Sequence, residues 1–300
     1  MSTSLARKLY PHASISQRMI RAILPIIPAG IRVHIYKLCA RVSGLIYGTV
    51  TGNVFRLPFG LVLKVTFPSS VESHALRFVN RISGVHTPLF IDSVRTAERS
   101  YMISTWVEGQ RLGDVWDDMT IEDKEQLASD LHQQFSTLRS HTMSTTHPIC
   151  NAAGGPIDDP RIPWVTQKAP RIFNSCPEFA QEVWIGLNGP RNRDTLRPIL
   201  QPLIDRQNVP VVFSHGDLVL RNVIVPGGLL WWRTRTERVC LVDWEFAGWM
   251  PTYWDPLKAT WLDFEEDSEW KQIVRHVFPD CVTELDADWE WRSRSNITII

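Results

Sequence analysis

The 300-residue chain is 44% hydrophobic and 21% charged, with 32 Lys+Arg against 32 Asp+Glu, so it has core-forming material for one large domain or two lobes. A formal charge of zero gives no basis for a polyanion-binding molecule, and no nucleic-acid partner is expected. The five cysteines (Cys39, Cys150, Cys176, Cys240, Cys281) are far apart and never spaced C-x-x-C, which argues against a disulfide framework or zinc site and for a reducing compartment, with the cytoplasm as default.

The charge is unevenly spread. No acidic residue precedes Glu72, while Arg7, Lys8, Arg18, Arg21, Arg32, Lys37, Arg41, Arg56 and Lys64 all do. The balance reverses between Asp255 and Glu290, most densely at Asp263–Glu269. The basic, serine-bearing start has the composition of a mitochondrial presequence, but the lack of acids continues through residue 71, into strand-like sequence that a removable leader does not explain. The most apolar early run, AILPIIPAGI (22–31), has ten residues and two prolines, too short and broken to cross a bilayer, and no membrane partner is expected.

In chain order, helical spacing of Ile20, Ile23, Leu24, Ile31, Ile35 and Leu38, interrupted by Pro25 and Pro28, predicts two short helices within 16–42. GLIYGTVTGNVFRLP and GLVLKVTF, meeting at Pro58-Phe59-Gly60, predict a hairpin series. A helix follows over 69–82, with Ser69 or Ser70 as cap, then strands in TPLFIDSV and RSYMISTWVEG. Leu127, Leu131, Phe135 and Leu138 mark a helix over 121–140. Residues 142–176 read as a long loop, 227–238 as a bulky hairpin, and the last seventy residues as Trp-rich and helical. The layout is α+β: an N-terminal helical extension (1–43), a small β-rich lobe with one helix (44–109), and a larger, mainly helical lobe (110–300).

SHGDLVLRNVIV (214–225) sets an Asp and an Asn five apart at the mouth of an apolar strand that needs neither. His215, Asp217, Leu218 and Asn222 match the kinase catalytic-loop pattern H-x-D-L-x-x-x-N. Phosphoryl transfer requires a carboxylate beside an acceptor hydroxyl and oxygen ligands for Mg²⁺, so Asp217 is a candidate base and Asn222 a candidate metal ligand. Asp243, twenty-one positions on in CLVDWEFAG, is the candidate charged ligand, presented at a strand end.

With HGDLVLRN and LVDWEFAG in place, the chain resembles the aminoglycoside phosphotransferase and choline-kinase-like family, whose patterns are H-G-D-L-x-x-x-N and [IV]-D-[WF]-E-x-A-G. RLPFGLVLKV, VESHALRFVN and YMISTWVEG resemble strand, helix and hinge segments of fungal members, and the likeness runs from about residue 45 to 262. It implies a two-lobed protein-kinase-like fold, ATP and Mg²⁺ as cofactors, and a hydroxyl-bearing small molecule as acceptor. It further implies that Lys64 binds the α/β-phosphates, that Glu72 holds Lys64, and that Thr105 and Trp106 form the hinge facing adenine. The kinase glycine loop is absent; Gly48 and Gly52 stand alone.

Simpler readings stand beside these. His215 reads as scaffold, Arg221 as an exposed arginine, and Glu245 as either a metal neighbour or a salt-bridge partner. Nine of the thirteen tryptophans lie at or after Trp231 near acidic residues. A cage for a cationic substrate would use them, but core packing uses them more readily. The rival function is a kinase-like binding or scaffold protein without turnover.

Overall fold

The computed structural model describes residues 13–47, 52–161, 169–185, 193–265 and 267–294. Helices α1 (Ile15–Ile23) and α2 (Ala29–Ile46) come first, separated by the turn that carries Pro25 and Pro28. Proline cannot donate a helical hydrogen bond and crowds the preceding turn, so the break falls where the sequence puts it. Continuation of α2 through Ile46 corrects the strand expected over Gly44–Tyr47. Ser43 is buried there and its hydroxyl donates to the Arg56 carbonyl, a tertiary anchor that outweighs local β preference. Gly48 of the expected glycine pair lies outside the described residues, as do Arg7 and Lys8.

Strands β1 (Val54–Leu57), β2 (Leu61–Thr66), β3 (Phe90–Arg95) and β4 (Ser100–Thr105) form an antiparallel sheet of order β1-β2-β4-β3. The turn from β1 to β2 carries Phe59 and Gly60, both at φ 64. Between β2 and β3 lies α3 (Val71–Val79), with Ala75, Leu76 and Val79 buried. Its N-cap Ser70 makes no side-chain capping bond; Ser69 supplies the hydroxyl, accepting from the Val71 amide at 3.2 Å.

One core cluster joins Leu57, Leu61, Leu63, Ile91 and Ile103 of the sheet to Tyr36 of α2. Burying each such aliphatic side chain stabilises the fold by about 1.5–3 kcal/mol. Buried Asp92 accepts two bonds from Arg32, at 2.7 and 2.6 Å, and one from the Tyr36 hydroxyl, fixing α2 to β3. Burial first, then the bond to Asp92, push the Tyr36 hydroxyl well above its ordinary pKa.

Next come β5 (Gly109–Arg111), the short α4 (Leu112–Val115), and α5 (Ile121–Thr142). A Thr120/Asp123 capping box starts α5, and its predicted stripe of Leu127, Leu131, Phe135 and Leu138 is buried. The expected loop that follows is partly structured. It contains β6 (Cys150–Asn151) and isolated pairings of Ile149 with Phe173 and Ile157 with Arg171. Asp159 and Arg161 are also buried there. Helices α6 (Cys176–Ala180) and α7 (Arg193–Ile204) lead to β7 (Val211–Ser214).

The expected hairpin at 227–238 connects two antiparallel strands, β8 (Val223–Pro226) and β9 (Cys240–Leu241), and its connection contains a helical turn, α8 (Leu229–Trp232). Gly227 and Gly228, both at positive φ, turn the chain, and Gln110 accepts the Leu229 amide at 3.0 Å. These side-chain contacts favour the helical connection over a plain β-turn. After β10 (Gly248–Pro251), which pairs with both β6 and β7, come α9 (Trp254–Thr260), α10 (Glu269–Val277) and α11 (Val282–Arg294). Strand β10 was not foreseen within the Trp-rich stretch. A Cβ at Gly248 would lie 2.5 Å from the Cys150 carbonyl oxygen, so the close pairing with β6 depends on glycine.

Two compact units result: residues 1–118 with 223–242, and 119–222 with 243–300. In the first, burial, with a smaller contribution from Arg238, lowers the half-buried His86 to about 4 from its usual 6.5. Its folded form resists protonation, so the stability it confers is full above about pH 6.5 and is lost as pH falls towards 4. Allowing for partial exposure, the loss between pH 7 and pH 5 should be about 1 kcal/mol. Urea midpoints at the two pH values should show it, and it should vanish in His86→Gln.

Candidate active site

In the first unit, Lys64 projects from β2 and Glu72 from the first turn of α3. Their side chains form an ion pair at 2.9 Å, about 15% exposed on each side. A lysine on an otherwise apolar strand requires such a partner, and the pairing holds the ammonium in a fixed place. Thr105 ends β4 and Trp106 follows it. The Thr105 amide donates to the Leu89 carbonyl at 3.0 Å, and the Trp106 amide to the Gly60 carbonyl at 2.8 Å. Anything these two residues offer a ligand must therefore come from carbonyl oxygens or side chains. The Trp106 indole donates to Glu108 at 2.9 Å and lies under the Arg56 guanidinium.

In the second unit, β7 delivers the chain to His215, Gly216 and Asp217. His215 is buried against Trp244, with ring centroids 4.5 Å apart, and its Nδ1 accepts the Asp217 amide at 3.2 Å. A ring nitrogen accepting from the backbone is scaffold. Gly216 sits at φ 80, and a Cβ there would lie 2.2 Å from the Phe246 carbonyl oxygen, so only glycine fits. Its amide donates to buried Asp255 of α9 at 2.9 Å. Burial raises the Asp255 carboxyl above its ordinary value, and the Gly216 amide works against that shift.

Asp217 and Asn222 are brought together. The Asn222 side-chain amide donates to the Asp217 carbonyl at 2.9 Å and to its Oδ2 at 2.8 Å, and Arg221 donates to the same Oδ2 at 3.1 Å. Oδ1 of Asp217 and Oδ1 of Asn222 accept no hydrogen bond from any described residue. One edge of the carboxylate is thus anchored and the other left for a ligand. Both hydrogens of the Asn222 amide are used while its oxygen, a hard donor suited to Mg²⁺, is not.

Asp243 follows β9 at φ 66, a left-handed conformation that Asp tolerates better than bulky residues. It is brought beside Glu245, with carboxylate oxygens within 4.8 Å of each other. Carboxylate and amide oxygens form the donor set a hard divalent cation takes, so the residues fit Mg²⁺.

Three contributors were not evident in the sequence. Arg221 is exposed, as read, and also bonds Asp217; Asp255 supports the loop from α9; and Trp244 backs His215. Asp255 carries no signal of its own, because it acts only through a tertiary contact, whereas Trp244 stands in the motif LVDWEFAG and only its packing on His215 was hidden. The tryptophans resolve towards packing: Trp232, Trp244, Trp254, Trp270 and Trp291 are buried. Aromatic faces that a cationic ligand would want are taken by the protein's own lysines, Lys258 at 4.8 Å from Trp261 and Lys271 at 3.4 Å from Trp289. Beside the Asp217–Asn222 loop a cavity of about 490 Å³ is lined by Leu220, Arg221, Leu262, Asp263, Glu265 and Trp270.

Solved structures similar to this chain include a protein described as a fructosamine-3-kinase from Haemophilus somnus 129PT, at 10% identity and TM-score 0.46, covering 78% of this chain and 74% of that one. Another is an aminoglycoside phosphotransferase from Streptomyces rimosus ATCC10970 in complex with ADP and streptomycin, at 16% identity and TM-score 0.44, covering 84% and 86%. The same Streptomyces enzyme without that description of ligands gives 17% identity and TM-score 0.43, covering 89% and 93%. No curated protein matches the chain. Residues 72–280, a span that runs from Glu72 past Asp217, Asn222 and Asp243 and takes in more than half of the sequence, match the phosphotransferase enzyme family, and the chain belongs to that family.

Proposed function

We propose that the chain is an ATP- and Mg²⁺-dependent phosphotransferase that moves the γ-phosphoryl group to a hydroxyl of a small molecule. The observation that carries this reading is the asymmetry of Asp217: Oδ2 is fixed by Asn222 and Arg221, and Oδ1 accepts nothing from the described residues. A carboxylate held in this way can accept the hydrogen bond of an acceptor hydroxyl, orient its oxygen, and take its proton as the new O–P bond forms. Lys64, steadied by Glu72, binds the nucleotide phosphates, and Thr105 and Trp106 contribute to the adenine side. Asn222 and Asp243 hold Mg²⁺, which when bound screens phosphate charge.

In this reading residues 44–109 carry the nucleotide-binding parts, 110–300 the catalytic and metal-binding ones, and 1–43 an added helical segment. The cavity beside Leu220 and Arg221 suits an acceptor with an apolar body. The cytoplasm is the proposed location. Burial pushes the thiols of Cys176 to about 11 and Cys281 to about 12, which suits cysteines that serve as packing in a reducing compartment.

Nucleotide linkage tests the reading. ATP with Mg²⁺ at a hundred times its dissociation constant should add about 2.7 kcal/mol of stability, seen as a raised melting temperature. The rise should shrink in Lys64→Ala and become independent of Mg²⁺ in Asp243→Asn. An unchanged melting temperature at millimolar nucleotide would reject it.

A further inference from the structure

Helix α2 is apolar on two opposite sides. Val33, Tyr36 and Ala40 face inward and pack in the core of the first unit. On the other side Ile31, Ile35, Leu38, Val42 and Leu45 recur at intervals of four and three and are 36–87% exposed. An ordinary surface helix presents polar residues outward, so this second stripe has no role in the fold described so far. Helix α1 repeats the feature: Ile20, with Leu24 just after the helix, packs on the core, while Ile15, Met19 and Ile23 are at least half exposed.

The charges carried by α1 and α2 themselves are all of one sign. Residues 13–71 contain no Asp or Glu. Of the basic residues there, Arg32, Arg56 and Lys64 are ion-paired with Asp92, Glu108 and Glu72. Arg18, Arg21, Lys37 and Arg41 form no ion pair with any described residue. On a helical wheel Lys37 and Arg41 flank the outer stripe of α2, and Arg18 and Arg21 lie on α1.

We infer that the outer faces of α1 and α2 form a docking surface for an anionic phospholipid bilayer, with the apolar stripe entering the headgroup–acyl boundary and the four cations lying among the phosphates. Apolar residues edged by Lys and Arg, without acids, are the composition of helices that lie in the interface, and long basic side chains reach back to the headgroups. Eighteen residues give α2 about 27 Å to lie in that plane. A second copy is the less favoured occupant, because a two-fold contact through this face would set the same unpaired cations against each other. No helix among the described residues is long and apolar enough to cross a membrane, so the contact is with the surface. This departs from the expectation of no membrane partner, which rested on the lack of a crossing segment.

Co-sedimentation of the full chain with phosphatidylcholine vesicles, with and without phosphatidylglycerol, tests the inference. Binding to the anionic vesicles that weakens with added salt is the expected result. Leu38→Asp with Val42→Asp should reduce partitioning about tenfold or more, and Lys37→Glu with Arg41→Glu should remove the anionic preference. The charge reversals sit at exposed positions, so they stand as the test even if the apolar pair disturbs folding; melting temperature checks both. Absence of binding to any vesicle, variants that bind as well as the parent, or a dimer in solution that the Leu38/Val42 variant dissociates would each overturn it.

Discussion

Asp217→Asn should slow phosphoryl transfer by about 10²- to 10⁴-fold, the usual contribution of a positioned general base, while the melting-temperature rise with ATP and Mg²⁺ persists. The amide keeps the size of the carboxylate but cannot accept a proton. It also meets the Asn222 and Arg221 donors, now 2.8 and 3.1 Å from Oδ2, with a single oxygen. Because Asp217 is only 9% exposed, Asn is a better probe than Ala, which would leave the Asn222 amide facing a void. Single-turnover rates on a panel of amino-alcohols and aminoglycosides would measure the effect. A rate within tenfold of the parent would remove Asp217 from the chemistry and favour a positioning role or a binding protein.

The largest stability effect should come from Asp288→Ala, at about 3–5 kcal/mol, or roughly 5–10 °C in apparent melting temperature. Asp288 of α11 is fully buried. It accepts from the Arg161 guanidinium, from Arg292 at 2.9 Å and from the Trp184 indole at 2.8 Å. Arg161 also reaches the Leu257 carbonyl at 2.6 Å, and neighbouring Asp159 holds Lys258 of α9 at 2.9 Å. Removing the carboxylate shared by two buried guanidinium groups takes the ion pair from both, leaving Arg161 its bond to the Leu257 carbonyl and Arg292 its bond to the Trp261 carbonyl, weaker partners for a buried charge. As a contrast, Glu290→Ala breaks the exposed pair with Arg294 and should cost under about 0.5 kcal/mol. Thermal melts of the two variants side by side would check the difference.

What the sequence revealed depended on how local the signal was. Helix α5 was legible because its apolar stripe repeats over about three turns and its cap is close by in sequence. Strand β2 and helix α3 were legible for the same reason, and with them the Lys64–Glu72 pairing, since an acid-free stretch left Glu72 as the first partner along the chain. The loop bearing Asp217 and Asn222 was marked by polar residues at the edge of an apolar strand. By contrast, the Asp159–Lys258 and Arg161–Asp288 pairs span 99 and 127 positions, and no periodicity announces a contact that distant. The helical end of α2 was misread because glycine and β-branched residues suggest a strand, while the hydrogen bond from Ser43 to Arg56 that holds the helix lies outside any local window. Support of the loop around Gly216 by Asp255 was hidden for the same reason.

The return of residues 223–242 to the first unit has a consequence for biosynthesis. The sheet of β5, β8 and β9 draws on Gly109–Arg111, Val223–Pro226 and Cys240–Leu241, so the earlier strand must wait for more than a hundred later residues to be translated. Nascent chains released after about residue 118 would present β5 without its neighbour, an open edge that chaperones would have to shield. The segment before it can collapse early, but closure of that unit is a late event, gated by the ribosome's progress rather than by local folding speed.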